Sequence, residues 1–318
     1  MLQALSRASL EDDVSGTDTT TNELQTFIAQ LTGKPAGLFV LSGTMGNIVS
    51  LRSLLSQPPY AVLCDSRAHI LNSESGGAFV FTGAIPQAVQ ATNGKYLTLE
   101  DIIPHIKIDD GKQIHSAATR VISLENTLNG MVMPLQETRR ICEYAHKHSI
   151  LVHLDGARLW EAVTSGEAGG LLSEYGALFD TITLCFAKGL GASAGAVIVG
   201  NEDVIRRARW IKQSIGGGIR QPGPLCGAAR VAVERTFCGG LLRRTHEVAR
   251  DIATFWQESG GKLRYPTETN MIWLDFEGLS FSLQDLVDEA AKRGVLVSRP
   301  RLVVHYREFF FLLTVHLS

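Results

Sequence analysis

Residues 181–195, TITLCFAKGLGASAG, combine a strand pattern with a glycine-rich turn. Apolar side chains at Ile182, Leu184 and Phe186 alternate with smaller or polar ones, and this period of two is typical of a β-strand. The glycines that follow permit backbone turns that other residues resist. Lys188 therefore lies just beyond a predicted strand, where it is either an ordinary solvated charge or a functional amine.

The rest of the chain surrounds this stretch with alternating strands and helices. Apolar extended runs such as GLFVL, TRVISLEN, ILVHLD and GAVIVG alternate with helical patterns. The helix predicted after Pro134 has one apolar face, formed by Leu135, Thr138, Cys142 and Ala145. This alternation predicts an α/β fold with a mostly parallel sheet.

The pattern changes towards the C-terminus, and three parts are expected. They are an N-terminal arm (residues 1–24), a large domain (25–240) and a small C-terminal α+β domain (241–318). In the small domain a long helical stretch precedes TNMIWLDF, a second helix and the extended runs GVLVS and RLVVHY. Ser282 and Asp285 resemble a capping box at the start of that second helix.

Both ends of the chain look unusual. Residues 1–22 show no periodic pattern, and the run REFFFLLTVHLS closes the chain with apolar residues but no predicted helix. An atypical or truncated small domain would expose apolar surface there, unless the run forms another strand.

Composition excludes several classes of partner. The 318 residues include 30 basic and 32 acidic side chains, so no strong field attracts nucleic acid or an anionic membrane. Five widely spaced cysteines without a C-x-x-C pair argue for a reducing compartment and against a disulfide framework or structural zinc. No segment approaches ~18 consecutive apolar residues, and no signal peptide is evident. We therefore expect a cytoplasmic protein without a bound metal.

The stretch VLSGTMGN predicts an anion site. A strand ending at Leu41 leads through Ser42, Gly43 and Thr44 into a helix that begins near Met45. Free backbone N–H groups and the positive end of the helix dipole favour a phosphate at such a turn. No lysine follows, so this is not a P-loop, and the turn alone is weak evidence.

Two further candidates have structural alternatives. In LVHLDGARLW an apolar strand delivers Asp155 at its carboxyl end with Arg158 just beyond, where open α/β sheets bind ligands. Asp155 could equally cap the next helix. His69 follows the predicted strand AVLCD, and a lone histidine at such a place is more often packed or solvated than catalytic.

Together these residues match the needs of pyridoxal phosphate. The cofactor requires a lysine amine for its covalent attachment, a carboxylate that keeps its ring nitrogen protonated, and an anion site for its phosphate. Lys188, Asp155 and the turn at Gly43 supply these three groups within one predicted α/β domain.

The sequence also resembles the low-specificity L-threonine aldolases and their fungal relatives, which include alanine racemases. The resemblance runs in order from Glu11 to His305. It rests on seven ordered stretches, EDDVSGTDTTTNELQ, LTGKPAGLFVLSGTMGN, AHILNSESGGA, ISLENTLNGMVMPL, VHLDGARLWEA, FAKGLGASAG and GGGIRQPG.

This resemblance implies a fold and a set of cofactor contacts. The fold would be that of fold-type I enzymes, with a large domain like that of aspartate aminotransferase. Lys188 would bind the cofactor covalently, Asp155 would pair with its ring nitrogen, and His69 would stack on its ring. The turn of Ser42, Gly43 and Thr44 would hold the phosphate.

The resemblance also gives roles to three arginines. Arg158 and Arg301 would bind the substrate α-carboxylate or the phenolic oxygen of the cofactor. Arg220 would help to hold the phosphate, with the option that it does so across a subunit boundary in a homodimer or homotetramer.

The implied reaction is cleavage of L-threonine or L-allo-threonine to glycine and an aldehyde. In it, His69 or a water that it orders would take the β-hydroxyl proton. Two alternatives stay open, an alanine racemase of the same fold and an inactive cofactor-binding relative.

Four departures from the family pattern bear on these alternatives. Ala187 replaces a usual serine before the lysine, and Leu128 stands where many relatives have histidine. The family's serine-containing N-terminal segment is missing before Glu11. The usual C-terminal helix after RLVVHY is replaced.

Overall fold

The computed structural model describes residues 1–109, 111–112 and 114–308. In this part of the chain seven strands form one sheet: β1 (Ala36–Val40), β2 (Tyr60–Asp65), β3 (Ile85–Val89), β4 (Ala118–Glu125), β5 (Leu151–Asp155), β6 (Thr181–Cys185) and β7 (Ala196–Gly200). A second sheet contains β8 (Lys262–Leu263), β9 (Met271–Asp275) and β10 (Arg301–Val303).

Helices alternate with the strands of the large sheet, and further helices follow in the C-terminal part of the chain. They are α1 (Leu2–Arg7), α2 (Thr19–Thr32), α3 (Gly43–Leu54), α4 (His69–Asn72), α5 (Gly77–Thr82), α6 (Leu99–Ile102), α7 (Leu135–Lys147), α8 (Leu159–Ser165), α9 (Leu172–Leu178), α10 (Glu202–Ser214), α11 (Gly223–Ala232), α12 (Leu241–Glu258) and α13 (Leu283–Lys292). Short 3₁₀ turns lie at Ile103–His105 and Tyr306–Glu308, and a π-helical turn lies at Val233–Cys238.

The large sheet has the strand order β1-β7-β6-β5-β4-β2-β3. Among its described strands only β7 runs against its neighbours, pairing antiparallel with β1 and β6. The central strands are buried because helices cover both faces, as expected for parallel strands. The predicted mostly parallel α/β sheet is confirmed, and the C-terminal ends of its parallel strands meet at one edge.

Helix packing follows the sequence pattern closely. The predicted apolar face of α7 is buried and also includes Ile141. On α3, a Cβ at Gly46 would lie only 2.5 Å from Cγ2 of Thr183, so glycine permits the close approach of α3 to β6. This packing brings the start of α3 to the C-terminal edge of the sheet.

Polar contacts order the N-terminal region, where the sequence shows no periodicity. Asp18 caps α2 by accepting a hydrogen bond of 2.8 Å from the backbone N–H of Thr21. The buried Asp13 forms an ion pair of 3.0 Å with Nζ of Lys212 on α10. Such contacts between distant segments leave no periodic signal in the sequence.

The C-terminal region agrees with the sequence in part. The capping box of Ser282 and Asp285 at the start of α13 is confirmed. GVLVS forms no strand among the described residues, and Leu296 within it is exposed. The domain limits stay a prediction, and most of the terminal run, 309–318, lies outside the described residues. No helix in the described part is both long and apolar enough to span a membrane.

Candidate active site

Asp155 lies at the C-terminal edge of the sheet, as predicted. It is paired in register with Glu125 on β4 and with Thr183 on β6. Its buried Oδ1 accepts a hydrogen bond of 3.0 Å from the backbone N–H of Ala157. The N-cap of α8 is Arg158, so Asp155 does not cap that helix. Its position is the one at which open α/β sheets bind ligands.

Lys188 lies in a tight loop between β6 and β7. The backbone N–H of Gly191 donates to the carbonyl of Lys188 at 2.8 Å, and that of Ala192 donates to the carbonyl of Phe186 at 3.0 Å. Gly191 and Gly195 have positive φ angles of 75° and 101°, which glycine adopts without strain. The glycines after the lysine thus close the loop around the half-buried Lys188.

The start of α3 has the strand-turn-helix geometry that was predicted for Ser42, Gly43 and Thr44. Ser42 is the N-cap, and its Oγ accepts a hydrogen bond of 3.1 Å from the backbone N–H of Met45. The helix begins at Gly43, earlier than the predicted start near Met45, so Gly43 and Thr44 lie in its first turn. N–H groups in a first helical turn have no carbonyl partner within the helix, which makes this end suitable for a phosphate.

A cavity of about 340 Å³ opens beside Lys188. Its lining includes Arg158, Asn270, His305 and Arg307. Nε of Arg158 is buried and has no hydrogen-bond partner among the described residues. A buried donor of this kind beside a lysine amine suits an anionic ligand.

Arg301 lies near this cavity without lining it. It is half-buried, with its guanidinium 5.8 Å from the ring centre of Trp273. Burial lowers the pKa of Arg301, and the positive charges of Arg158 and Arg299 lower it further. Arg301 therefore lies within electrostatic range of Arg158.

His69 is the first residue of α4. Its backbone N–H donates to Oε2 of Glu125 at 2.8 Å, and its ring Nδ1 lies 2.9 Å from Oε1 of Glu74. The side chain is 38% exposed, whereas that of Glu74 is completely buried. Hydrogen bonds to Glu125 and Glu74 therefore fix His69, while part of its ring is exposed to solvent.

A buried amide joins these groups. Nδ2 of Asn47 donates to Oε1 of Glu74 and to Oδ2 of Asp155, both at 2.8 Å. Oδ1 of Asn47 lies 3.2 Å from Nε2 of His153. The sequence alone did not single out these residues. The signals were present in the asparagine one helical turn after Thr44 and in the glutamate five residues after His69.

Burial shifts the pKa of several of these groups. It raises the pKa of Glu125 to about 8, with a further contribution from Asp155, and it raises the pKa of Glu74. It lowers the pKa of His153 to about 4, so this histidine is neutral at neutral pH. Glu125, Glu74 and His153 are thus more often neutral than the same side chains would be in water.

Arg220 is not brought to this cavity. Its side chain is 71% exposed, and Nη1 donates to Oδ2 of Asp12 at 2.7 Å. The backbone N–H of Asp13 also donates to the carbonyl of Arg220, at 2.8 Å. Within one chain, the N-terminal segment presents this arginine at the surface.

His69, Glu74 and Asp155 also have a geometry that a cation could use. One ligand atom of each lies within 4.8 Å of the others. The hydrogen bonds of Asn47 to both carboxylates account for this closeness without a metal. The expectation of a metal-free site stays a prediction.

Comparison with known proteins places this site in a family. A family model described as beta-eliminating lyase matches residues 1–278. The chain belongs to the beta-eliminating lyase family. The prediction of a lyase is thereby confirmed at the level of the family.

The chain is 50% identical to aldolase vrtJ of Penicillium aethiopicum over 307 residues, which cover 96% of this chain and 78% of that one. It is 40% identical to the low-specificity L-threonine aldolase of Eremothecium gossypii over 307 residues, with 96% and 79% covered. It is 38% identical to alanine racemase TOXG of Cochliobolus carbonum over 313 residues, again with 96% and 79% covered. The predicted resemblance to the threonine aldolase group is confirmed.

Solved structures agree with this membership of the beta-eliminating lyase family. A protein of Listeria monocytogenes described as an L-allo-threonine aldolase matches with a TM-score of 0.80 and 26% identity, covering 96% of this chain and 88% of that one. Aspartate aminotransferase of Thermus thermophilus matches with a TM-score of 0.68 and 12% identity, covering 95% and 87%. The second likeness is one of fold alone, and it confirms the predicted aspartate-aminotransferase-like architecture.

Proposed function

We propose that this protein is a pyridoxal-phosphate-dependent lyase that cleaves L-threonine or L-allo-threonine to glycine and acetaldehyde. The observation that carries this proposal is the convergence of Lys188, Asp155 and the first turn of α3 at one edge of the sheet. Relatives described as threonine aldolases, matched over most of this chain, support the choice of substrate.

The residues present fit the cofactor. Lys188 offers the amine for covalent attachment, Asp155 offers a buried carboxylate for the ring nitrogen, and Ser42, Gly43 and Thr44 offer the phosphate site. The bound cofactor supplies an electron sink that weakens a bond at the substrate Cα.

The remaining roles belong to two arginines and a histidine. Arg158 and Arg301 hold the substrate carboxylate, which orients the bond to be broken. Such positioning can lower a barrier by up to about 7 to 11 kcal/mol. His69, or a water that it orders, accepts the proton of the β-hydroxyl group, because it is a partly exposed base that Glu74 and Asn47 link to Asp155.

Two substitutions restrict the choice of proton acceptor. Leu128 is 4% exposed and apolar, so it cannot handle the proton that a histidine there could. Ala187 lines the cavity without a hydroxyl group. The proposed mechanism therefore depends on His69 more heavily than that of a relative with two histidines.

An alanine racemase is the second candidate, favoured by the likeness to TOXG. Incubation with L-allo-threonine and, separately, with L-alanine distinguishes the two. Aldehyde formation without D-alanine supports the aldolase, whereas D-alanine without aldehyde contradicts it. Cofactor absorbance without turnover of either amino acid would favour an inactive relative.

We further propose a cytoplasmic homodimer or homotetramer that acts in amino-acid metabolism. The exposed Arg220, fixed by Asp12, is suited to reach the phosphate site of a neighbouring chain. The same proposal includes the division into an arm, a large domain and a small domain at residues 24 and 240.

A further inference from the structure

Only one orientation of the Asn47 side-chain amide satisfies all of its hydrogen-bond partners. An ionised carboxylate only accepts hydrogen bonds, so the amide nitrogen of Asn47 faces Glu74 and Asp155. Its oxygen then needs a donor, and Nε2 of His153 at 3.2 Å supplies it. Nδ1 of His153 is left to accept a hydrogen bond from the hydroxyl group of Thr181, 2.9 Å away.

The neutral state of His153 fits this arrangement. A neutral imidazole has one donor and one acceptor nitrogen, and His153 needs one of each. Burial lowers the pKa of His153 to about 4, which favours the neutral ring at neutral pH. Thr181 and His153 thus fix the orientation of the Asn47 amide from beneath the site.

Glu74 continues the chain of contacts to His69. Its side chain is completely buried, and Oε2 has no hydrogen-bond partner among the residues that the structure describes. Oε1 accepts from Asn47 and lies 2.9 Å from Nδ1 of His69. With Glu74 ionised, or protonated only on its unpartnered Oε2, Oε1 is solely an acceptor, and Nδ1 of His69 donates to it.

The consequence concerns the other ring nitrogen of His69. In a neutral histidine that carries its proton on Nδ1, the Nε2 atom is unprotonated and can accept a proton. In a histidine without such a partner, the proton can lie on either ring nitrogen. The ring is also 38% exposed, so this nitrogen is not sealed away from a substrate or a water.

We propose that Glu74 is a positioning residue that holds His69 in the tautomer with a proton-accepting Nε2, and that Asn47 ties this pair to Asp155. This inference rests on the proposed function, since it assigns a use to the base of that reaction. It accounts for a completely buried carboxylate beside the site that neither the cofactor nor the substrate is proposed to touch.

The direct test is nitrogen magnetic resonance of the full-length protein with isotopically labelled histidine, recorded with and without pyridoxal phosphate. His69 is assigned by the signal lost in His69→Asn. We expect an unprotonated Nε2 and a protonated Nδ1 in the parent and in Glu74→Gln, whose side-chain oxygen can still accept. In Glu74→Leu the Nε2–H tautomer should gain at least about half of the population. A parent His69 that carries its proton on Nε2 overturns the inference, whether or not the leucine variant folds.

Turnover provides the second readout. Glu74→Leu should lower kcat for L-allo-threonine about 100-fold, while KM stays within about threefold, because the loss concerns proton transfer rather than substrate binding. Glu74→Gln should recover most of that loss. Asp101→Asn, at a buried carboxylate in the capping box of α6, is the matched control and should change neither value. Equal losses in the glutamine and leucine variants would contradict a role through the tautomer.

The two possible failures are distinguishable. A parent protein that cleaves no β-hydroxy amino acid overturns the proposed function, whereas the nitrogen spectrum alone decides the direction of the hydrogen bond. An active parent with the opposite tautomer overturns only the role of Glu74.

Discussion

Glu125 and Asp155 lie opposite each other in register at the ends of β4 and β5. Asp155 is buried and Glu125 is half-buried, and two neighbouring carboxyl groups of this kind ionise together only at a cost in free energy. The pKa of Glu125 accordingly rises to about 8, through burial first and through the charge of Asp155 second. The pair gives the site a pH dependence that can be measured without turnover.

For Glu125, the folded-state pKa is above the ordinary value of 4.5. Its contribution to stability is therefore complete below about pH 4.5 and is lost as the pH rises through about 8. The loss is at most about 1.4 kcal/mol per pH unit. Glu125→Gln should reduce the fall in the melting temperature between about pH 6 and about pH 8.5. The exposed Glu143→Gln is the control, and an unchanged fall in Glu125→Gln would contradict the assignment.

Replacing Asp155 tests the carboxylate that we propose pairs with the ring nitrogen of the cofactor. Asp155→Ala should lower turnover of L-allo-threonine by more than about 100-fold, because the electron sink weakens when the ring nitrogen loses its proton. Some cofactor should stay bound, since the turn at Ser42 is intact. Asp275→Ala, at the end of β9, serves as control. Near-parental turnover in Asp155→Ala would mean that the residue only shapes the turn with Ala157.

Arg220 tests whether two chains complete one site. Arg220→Ala should weaken retention of pyridoxal phosphate several-fold, about as expected for one lost charged hydrogen bond. Mixed with Lys188→Ala, it should restore part of the activity, because one site in the mixed dimer carries both native residues. Arg206→Ala, at an exposed position on α10, is the control. A fully active monomer in light scattering would end this proposal.

Gly191 tests the closure of the lysine loop. Its φ of 75° is unfavourable for other residues, and a Cβ there would lie 2.5 Å from the hydroxyl oxygen of Tyr306. Gly191→Ala should therefore destabilise the fold by about 1 to 3 kcal/mol and lower cofactor retention. Gly216→Ala also has positive φ but open space around it, so it separates backbone strain from the contact. Equal retention of cofactor in both variants would contradict a specific effect on the lysine loop.

The sequence predicts those parts of the site that local pattern determines. Asp155 ends one strand and Lys188 follows the next, and parallel strands bring such ends to one edge. Asn47 differs because its partners Glu74 and Asp155 are 27 and 108 residues away, and no local pattern encodes that contact. The expectation of an extended strand at GVLVS was wrong. Alternating apolar residues favour a strand, but a strand also needs a neighbouring strand to pair with, and local sequence does not encode that neighbour.

The central claim is that Lys188 holds pyridoxal phosphate beside Asp155. Borohydride reduction of the full-length protein loaded with pyridoxal phosphate, followed by mass spectrometry of its peptides, tests this most directly. We expect the reduced cofactor on the peptide that contains Lys188, with none trapped in Lys188→Ala and normal trapping in the surface variant Lys147→Ala. Cofactor trapped on another lysine of the parent, or trapped equally in Lys188→Ala, would contradict the account.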